Sequence, residues 1–422
     1  MLLAFFSVLS VLLAIVRDRL LAVYVGVGPM LDVYNASFRI PDLLYGLFLS
    51  FITAGTIVPF LTKENKNGEI IESEKRFSSV LMFFSLMMSI LIIVVIFTIQ
   101  FYAKYVVPGF NEDQIRLFIV VTRILMVQPL ILGISSLISC FAQLKNEFIY
   151  YGLAPLGYSV GIILGIVLFY KQIGLHGLAL GVTIGALFSL IIQAISLRKY
   201  KFSIKKSHFS LKHIKELYRL AIPRSATNII SQLRVLFFTA FATTLGPGVL
   251  SAFLFAQKIT DAISQIISQS VGTASLPTLS REYEDNRIKE HERLVYKYTK
   301  LLFLIAIPIS LVTFFLRDFV VFMLYDHSGA NELISTFLVG FLILLPFSMS
   351  SSYLAIGFYS MKNTSKVLIG NFIATVLAVL ICIYFKDKGI YSLIYGTVSY
   401  YIISNMIYMF LYKRCNFANR CE

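Results

Sequence analysis

With 422 residues, 58% of them hydrophobic, and a mean hydropathy of +0.80, the chain is too apolar for a soluble globule, whose apolar share is nearer ~45–50%. Its 37 Lys and Arg against 22 Asp and Glu give a net charge of +15, but that charge lies in short segments between apolar runs, which argues against nucleic acid as its partner. Runs of about 18 or more apolar residues recur without period-two alternation, so the chain reads as an all-α polytopic membrane protein and not a β-barrel.

Twelve spans are expected, in chain order: 2–23, 30–61, 77–101, 115–141, 148–170, 174–197, 222–244, 248–279, 299–324, 332–360, 366–385 and 389–412. The first run ends in Arg17-Asp18-Arg19 and shows no small-residue cleavage site, so it is expected to span and not to be removed. The second and eighth exceed the ~20 residues a crossing needs, and Pro41 gives the second a bending point. Of the 37 Lys and Arg, 24 fall in the even-to-odd loops and the C-terminal tail, 6 in the opposite loops and 7 in or near spans. Among the 24 are Lys63, Lys66, Lys75, Arg76 and Lys145. The positive-inside bias then places both termini in the cytoplasm. The basic segment from Arg198 to Arg219 has apolar residues at helical spacing after Ser210 and is expected to lie along anionic lipid as a connector.

The two sides of that connector are related. Gly28-Pro29 returns as Gly246-Pro247, Arg39-Ile40-x-Asp42 as Lys258-Ile259-x-Asp261, and Gly55-Thr56 with Pro59 as Gly272-Thr273 with Pro277. Pro129, Lys145-Asn146 and Gly174 recur as Pro346, Lys362-Asn363 and Gly389. The offset stays near one value across six spans, which marks a duplicated unit. The expected organisation is an N-terminal lobe over 1–198 (spans one to six), a basic amphipathic linker over 199–221, and a C-terminal lobe over 222–422 (spans seven to twelve) with a short cytoplasmic tail. Two pseudo-symmetric six-helix lobes of this kind enclose a central cavity, cationic here, in transporters built from parallel repeats.

Charges inside spans cost about 2.5–3.5 kcal/mol each on insertion scales and therefore usually face a cavity and act on something. Seven cations qualify: Arg17, Arg19, Arg39, Arg123, Arg224, Arg234 and Lys258. The repeat superposes Arg17 on Arg234 and Arg39 on Lys258, which selects those four as candidate ligands for an anion. The planar fork of Arg suits phosphate. Arg19 and Arg224, near helix ends, are expected to reach headgroups. Asp18 and Asp32 are expected to orient the arginines. The five His and four Cys show no metal-ligand spacing, and no GxxxxGK[ST] loop occurs. The expectation is a non-enzyme without cofactor, not powered directly by ATP. The many Tyr and Phe are read as packing and interfacial belt.

The opening region resembles the MurJ family, also called MviN, of lipid II flippases within the multidrug and oligosaccharidyl-lipid exporter superfamily. The likeness is carried by Arg17-Asp18, by Gly28-x-x-x-Asp32-x-Tyr34-x-x-Ser37-Phe38-Arg39-Ile40-Pro41-Asp42-Leu43-Leu44, by Val58-Pro59, and by Ala256-Gln257-Lys258 with Leu276-Pro277-Thr278-Leu279-Ser280-Arg281. The resemblance implies a flippase of the bacterial cytoplasmic membrane that moves the lipid-linked peptidoglycan precursor by alternating access, with Arg17, Asp18, Asp32 and Lys258 at the family's cavity positions. It implies membrane lipids and the lipid-linked oligosaccharide as partners, with cell-wall synthesis proteins as further candidates, and membrane potential or an ion gradient as driving force. Lys258 stands where the family usually has Arg, and Val23 and Tyr45 where some members have further arginines. The chain shows twelve spans where many members have two more that form a groove for the lipid tail. Some members bind sodium in the second lobe; Asn371, Thr375 and Thr397 fall near matching places, with Gln232 and Thr375 where carboxylates are expected. Rival readings are a flippase for another diphosphate-linked oligosaccharide, such as an O-antigen unit, and a drug or cation antiporter of the same fold.

Overall fold

The structure, a computed structural model, describes residues 2–52, 71–144, 147–198, 211–325 and 329–421. All regular secondary structure among them is helical, and each of the twelve expected spans coincides with a helix or a pair of helices over its described residues, the last part of the second, 53–61, lying outside them. Seven of these are long and apolar enough to cross a bilayer on length and composition alone, among them Arg76–Val106, Leu175–Leu197 and Asn331–Ser360. The repeat partners at Gly55, Thr56, Pro59, Lys145 and Asn146, and the basic residues 199–210, lie outside the described residues. The chain divides into two compact units, Met1–Gln232 and Leu233–Glu422.

In the first unit, helix α1 (Leu2–Tyr24) is followed by α2 (Pro29–Ser37) and α3 (Arg39–Ile52). Pro29 begins α2, where its missing N–H is no loss. The bend expected at Pro41 appears three residues earlier, as a break at Phe38. A proline lacks the N–H that would bond four residues back, here to Ser37, and its ring crowds that carbonyl, so the defect shows upstream of the ring. Regular bonding resumes with the Asp42 amide donating to the Phe38 carbonyl (2.8 Å). Helix α4 (Ile71–Val106) follows. It contains Arg76, which is buried at 6% exposure. That corrects its assignment to a loop: the helix begins earlier than the apolar run does.

Helices α5 (Glu112–Leu125) and α6 (Gln128–Leu144) make one span with a break before Pro129. Asn111 and Gln114 start α5 by exchanging side-chain and backbone hydrogen bonds of 2.8 and 2.9 Å, a capping box. Helix α7 (Phe148–Leu164) widens into a π-helical turn at Gly165–Phe169, and α8 (Leu175–Leu197) closes the unit's bundle. The contact of α7 with α8 is backbone on backbone. Gly161 and Gly165 on one side face Gly185 and Gly181 on the other, and Gly177 meets the Phe169 backbone; a Cβ on Gly161 would fall 2.2 Å from the Gly185 backbone. Small residues every fourth position let membrane helices approach this closely, where lipid supplies no hydrophobic drive.

Helix α9 (Leu211–Thr243) runs without interruption from the connector through the seventh expected span, so the helical spacing after Ser210 belongs to the same helix as that span. The second unit continues with α10 (Val249–Glu284), α11 (Ile288–Phe315), α12 (Arg317–Tyr325), α13 (Asn331–Ser360), α14 (Thr364–Tyr384) and α15 (Ile390–Cys421). Its core is aromatic and aliphatic, with Tyr353, Phe358, Tyr412, Leu302, Leu345 and Met349 fully enclosed. Within that core His291 is 0% exposed. The Ser360 hydroxyl donates to the Gly357 carbonyl and so receives the His291 Nε2–H at 2.8 Å; Nδ1 then accepts from Tyr412 Oη at 2.8 Å. One neutral imidazole thereby ties α11, α13 and α15 together. The repeat is visible in the backbone: Gly174 before α8 and Gly389 before α15 have φ of 59° and 60° and ψ of −139° and −130°, the left-handed half that glycine adopts freely.

Candidate substrate-binding residues in the two units

In the first unit the Arg17 guanidinium, on α1, is held by its neighbour Asp18. Nε donates to Asp18 Oδ1 at 3.1 Å, and Nη2 lies 3.0 Å from the same oxygen. The Arg17 side chain keeps 20% exposure and that of Asp18 only 9%. The Tyr34 and Tyr158 hydroxyls are within electrostatic reach of Arg17, and Tyr158 Oη accepts from Gln128 Nε2 at 2.9 Å. A polar wall thus runs from α1 through α2 to α7. Asp32 sits in the first turn of α2 at 1% exposure, where the unpaired amides of a helix start favour a carboxylate. Arg39, the first residue of α3, is half-buried and feels the charge of Asp42 on the same helix. Its Nε is buried and has no hydrogen-bond partner. Tyr45, one turn on, is committed to Ser136 Oγ at 2.9 Å.

The second unit builds its counterparts from other groups. Arg234, on α9, lies over the Tyr400 ring of α15, with Cζ 3.9 Å from the ring centroid, a close cation–π contact. Its Nε is buried without a hydrogen-bond partner. Tyr400 Oη donates to Asn371 Oδ1 at 2.9 Å, and Thr375 Oγ1 donates to the same oxygen at 3.4 Å. Lys258, on α10, holds its ammonium 5.3 Å from the centre of the Phe255 ring. Asp261 shares α10 and is exposed, within electrostatic reach of Arg234. Thr397 is buried and its hydroxyl returns to the Leu393 carbonyl at 2.8 Å.

Arg17 with Asp18, and Asn371 with Thr375, are thus brought into direct contact, and Arg39 and Asp42 come within electrostatic reach of each other. Arg123 is used inside the fold: its Nε donates to the Ile96 carbonyl at 3.0 Å, and Nη2 lies 3.4 Å from Gln100 Oε1, which joins α5 to α4. Arg19 is exposed. Nothing in the sequence pattern of charges singles out Tyr400. Its signal was present, since a tyrosine stands there where the first unit, aligned on Gly174 and Gly389, has Gly185. No group of three or more His, Cys, Asp or Glu suited to a metal occurs among the described residues.

Guanidinium and ammonium groups half-buried in a duplicated bundle of membrane helices suit a transporter of anionic cargo, and the fold agrees with that class. A structure titled as an inward-facing multidrug resistance MATE family transporter of the MOP superfamily superposes with a TM-score of 0.81 over 97% of this chain and 95% of its own, at 16% identity. A lipid II flippase MurJ in an inward closed conformation superposes at 0.84 over 98% of this chain and 87% of its own, at 21% identity. Among sequences, a probable lipid II flippase MurJ of Buchnera aphidicola subsp. Baizongia pistaciae is 26% identical over 406 residues, 91% of this chain and 76% of the relative. The family model described as lipid II flippase MurJ matches residues 21–420. The chain is a multi-pass membrane protein that belongs to the lipid II flippase MurJ family.

Proposed function

We propose that this chain carries lipid-linked peptidoglycan precursor from the cytoplasmic to the outer leaflet of the bacterial cytoplasmic membrane by alternating access, without making or breaking covalent bonds. Arg17, Arg39, Arg234 and Lys258 hold the diphosphate; Asp18 and Asp32 orient the arginine side chains. The observation that carries the assignment is that Nε of Arg39 and Nε of Arg234 are each buried and left without a partner in the protein. A buried donor without an acceptor costs about 1–3 kcal/mol, more when charged, so an oxyanion that supplies the acceptor recovers that energy. With both termini cytoplasmic, a cationic site returning empty across the membrane responds to potential at about 2.3 kcal/mol per charge per 100 mV. Two unit charges moving through half the field would already couple the cycle to a resting potential.

The test is depletion in the native host with replacement by variants. Loss of the protein should trap precursor on the inner leaflet and lyse the cells, and Arg39→Ala with Arg234→Ala should fail to restore growth at normal expression. Full translocation by that double variant would overturn the cation assignment. Loss of surface polysaccharide alone, with intact walls, would shift the cargo to another diphosphate-linked oligosaccharide.

A further inference from the structure

Arg17 and Arg234 are repeat counterparts, yet they are fixed in opposite ways. Asp18 pins Arg17 edge-on and consumes donors in the guanidinium plane. The residue after Arg234 is Val235, so the carboxylate is gone, and the Tyr400 ring lies against the guanidinium instead. A π face attracts the cation without using any N–H, because the donors radiate in the plane of the group and the ring lies above it. Arg234 Nε is buried and unpartnered, so this guanidinium is held in place with its edge unspent.

The support behind the ring is also new to the second unit. Tyr400 is anchored through its hydroxyl to Asn371, which Thr375 braces from the next turn of α14. Aligned on the cap glycines Gly174 and Gly389, the first unit has Gly185 at the place of Tyr400; ahead of its two-residue surplus, aligned on Lys145 and Lys362, it has Ala154 and Tyr158 at the places of Asn371 and Thr375. Gly185 cannot stack on a cation, Ala154 cannot accept from a ring hydroxyl, and the Tyr158 hydroxyl receives Gln128 Nε2–H instead of bracing a ring. Loss of the acid and gain of the ring, its acceptor and its brace therefore occur together in one unit.

We propose that Tyr400 is a positioning residue that presents Arg234 as the leading diphosphate-binding cation of this transporter, with Asn371 and Thr375 locking the ring. The proposal rests on the reading that these cations bind the substrate's diphosphate. Its test uses the full chain in nanodiscs, with equilibrium binding of farnesyl diphosphate and of inorganic pyrophosphate as probes. Tyr400→Leu should weaken binding of both by about tenfold, which matches the range of a desolvated cation–π contact. Tyr400→Phe, which keeps the face, should stay within about threefold of the parent. Asn371→Leu, which frees the ring without removing it, should weaken binding by about threefold and serves where Leu at 400 lowers the melting temperature. Arg234→Gln should lose more than Arg17→Gln.

Recovery by Phe but not by Leu at equal melting temperature identifies a presented face and not a structural filler. If Arg234→Gln binds poorly while Tyr400→Leu and Asn371→Leu bind like the parent, the positioning role is wrong and the cation site stands. If Arg234→Gln itself binds both probes like the parent, the place of Arg234 in the diphosphate site fails and this inference with it. Weakening confined to farnesyl diphosphate would also overturn the proposal, since the ring would then be acting on the isoprenoid chain.

Discussion

In the first unit the span from Pro29 to Ile52 is broken at Phe38, and the span from Glu112 to Leu144 is broken before Pro129. In the second, the corresponding helices Val249–Glu284 and Asn331–Ser360 run unbroken. For the first pair the reason is in the residue: Pro41 has Thr260 as its counterpart, and a threonine keeps its amide. For the second pair the residue is the same, proline at 129 and at 346, so the ring alone does not decide continuity; the serines downstream are also spent differently. After Pro346, Ser348, Ser350 and Ser351 turn their hydroxyls back onto the carbonyls of Leu345, Phe347 and Ser348, and Ser350 also receives the Asn405 amide. After Pro129 the serines are spent across helices, Ser135 on Ser189 and Ser136 on Tyr45. The carbonyl that each ring orphans lies four residues upstream, at Leu125 and Leu342, and none of these hydroxyls bonds it, so they do not replace the missing bond. The lesson is that duplicated sequence preserves topology and lets backbone continuity drift with single side chains.

The comparison can be broken most severely at the glycine rows. Gly161→Leu forces a side chain into the Gly185 backbone and should cost about 3 kcal/mol of stability. Ala378 occupies the aligned position in the second unit; it already carries a Cβ and meets Gly396 through its carbonyl, so Ala378→Leu should cost less, about 1 kcal/mol. Thermal unfolding in detergent reads both; equal losses would show that the two helix pairs pack alike. The next effect belongs to the second unit. His291→Ala leaves the buried Ser360 and Tyr412 hydroxyls without their partner and should cost about 2 kcal/mol. Hydrogen exchange should then rise in α11, α13 and α15 and stay unchanged in α7 and α8. The smallest effect is Pro41→Ala, which restores an amide able to bond Ser37 and should stabilise α2–α3 by about 1 kcal/mol. Its readout is slower exchange from Phe38 to Asp42, and unchanged exchange there would put the cause of the break elsewhere.

Helix positions and the charged residues were legible because both rest on composition at one place in the chain. Twenty apolar residues must cross a bilayer as a helix, and an arginine among them declares itself. The arrangement around those charges was harder to read. Arg17 and Asp18 are adjacent in sequence and could be paired on sight. Arg234 and Tyr400 lie at opposite ends of the second unit, and among so many tyrosines of packing and belt nothing local marks the one that covers Arg234. The rows at Gly157, Gly161 and Gly165 and at Gly177, Gly181 and Gly185 were readable as spacing, but a search for charge passes over residues that have no side chain. His291 lies ahead of the apolar run of its span and is nevertheless wholly enclosed, because α11 begins before that run does.

The π-helical turn at Gly165–Phe169 acts as a splice in the coil. Between the landmarks Lys145 and Gly174 the first half has two residues more than its twin has between Lys362 and Gly389. The aligned stretch of the twin ends in the tighter 3₁₀ turn Lys386–Lys388. A wide coil stores surplus chain and a narrow one stretches a shortage, so an ancestral insertion or deletion was absorbed as a change of gauge. The surplus is taken up just where Gly165 meets Gly181, and Phe169 still closes on Gly177. The cap glycines Gly174 and Gly389 kept the same torsions. Length changed between the twins while the geometry at the seam did not.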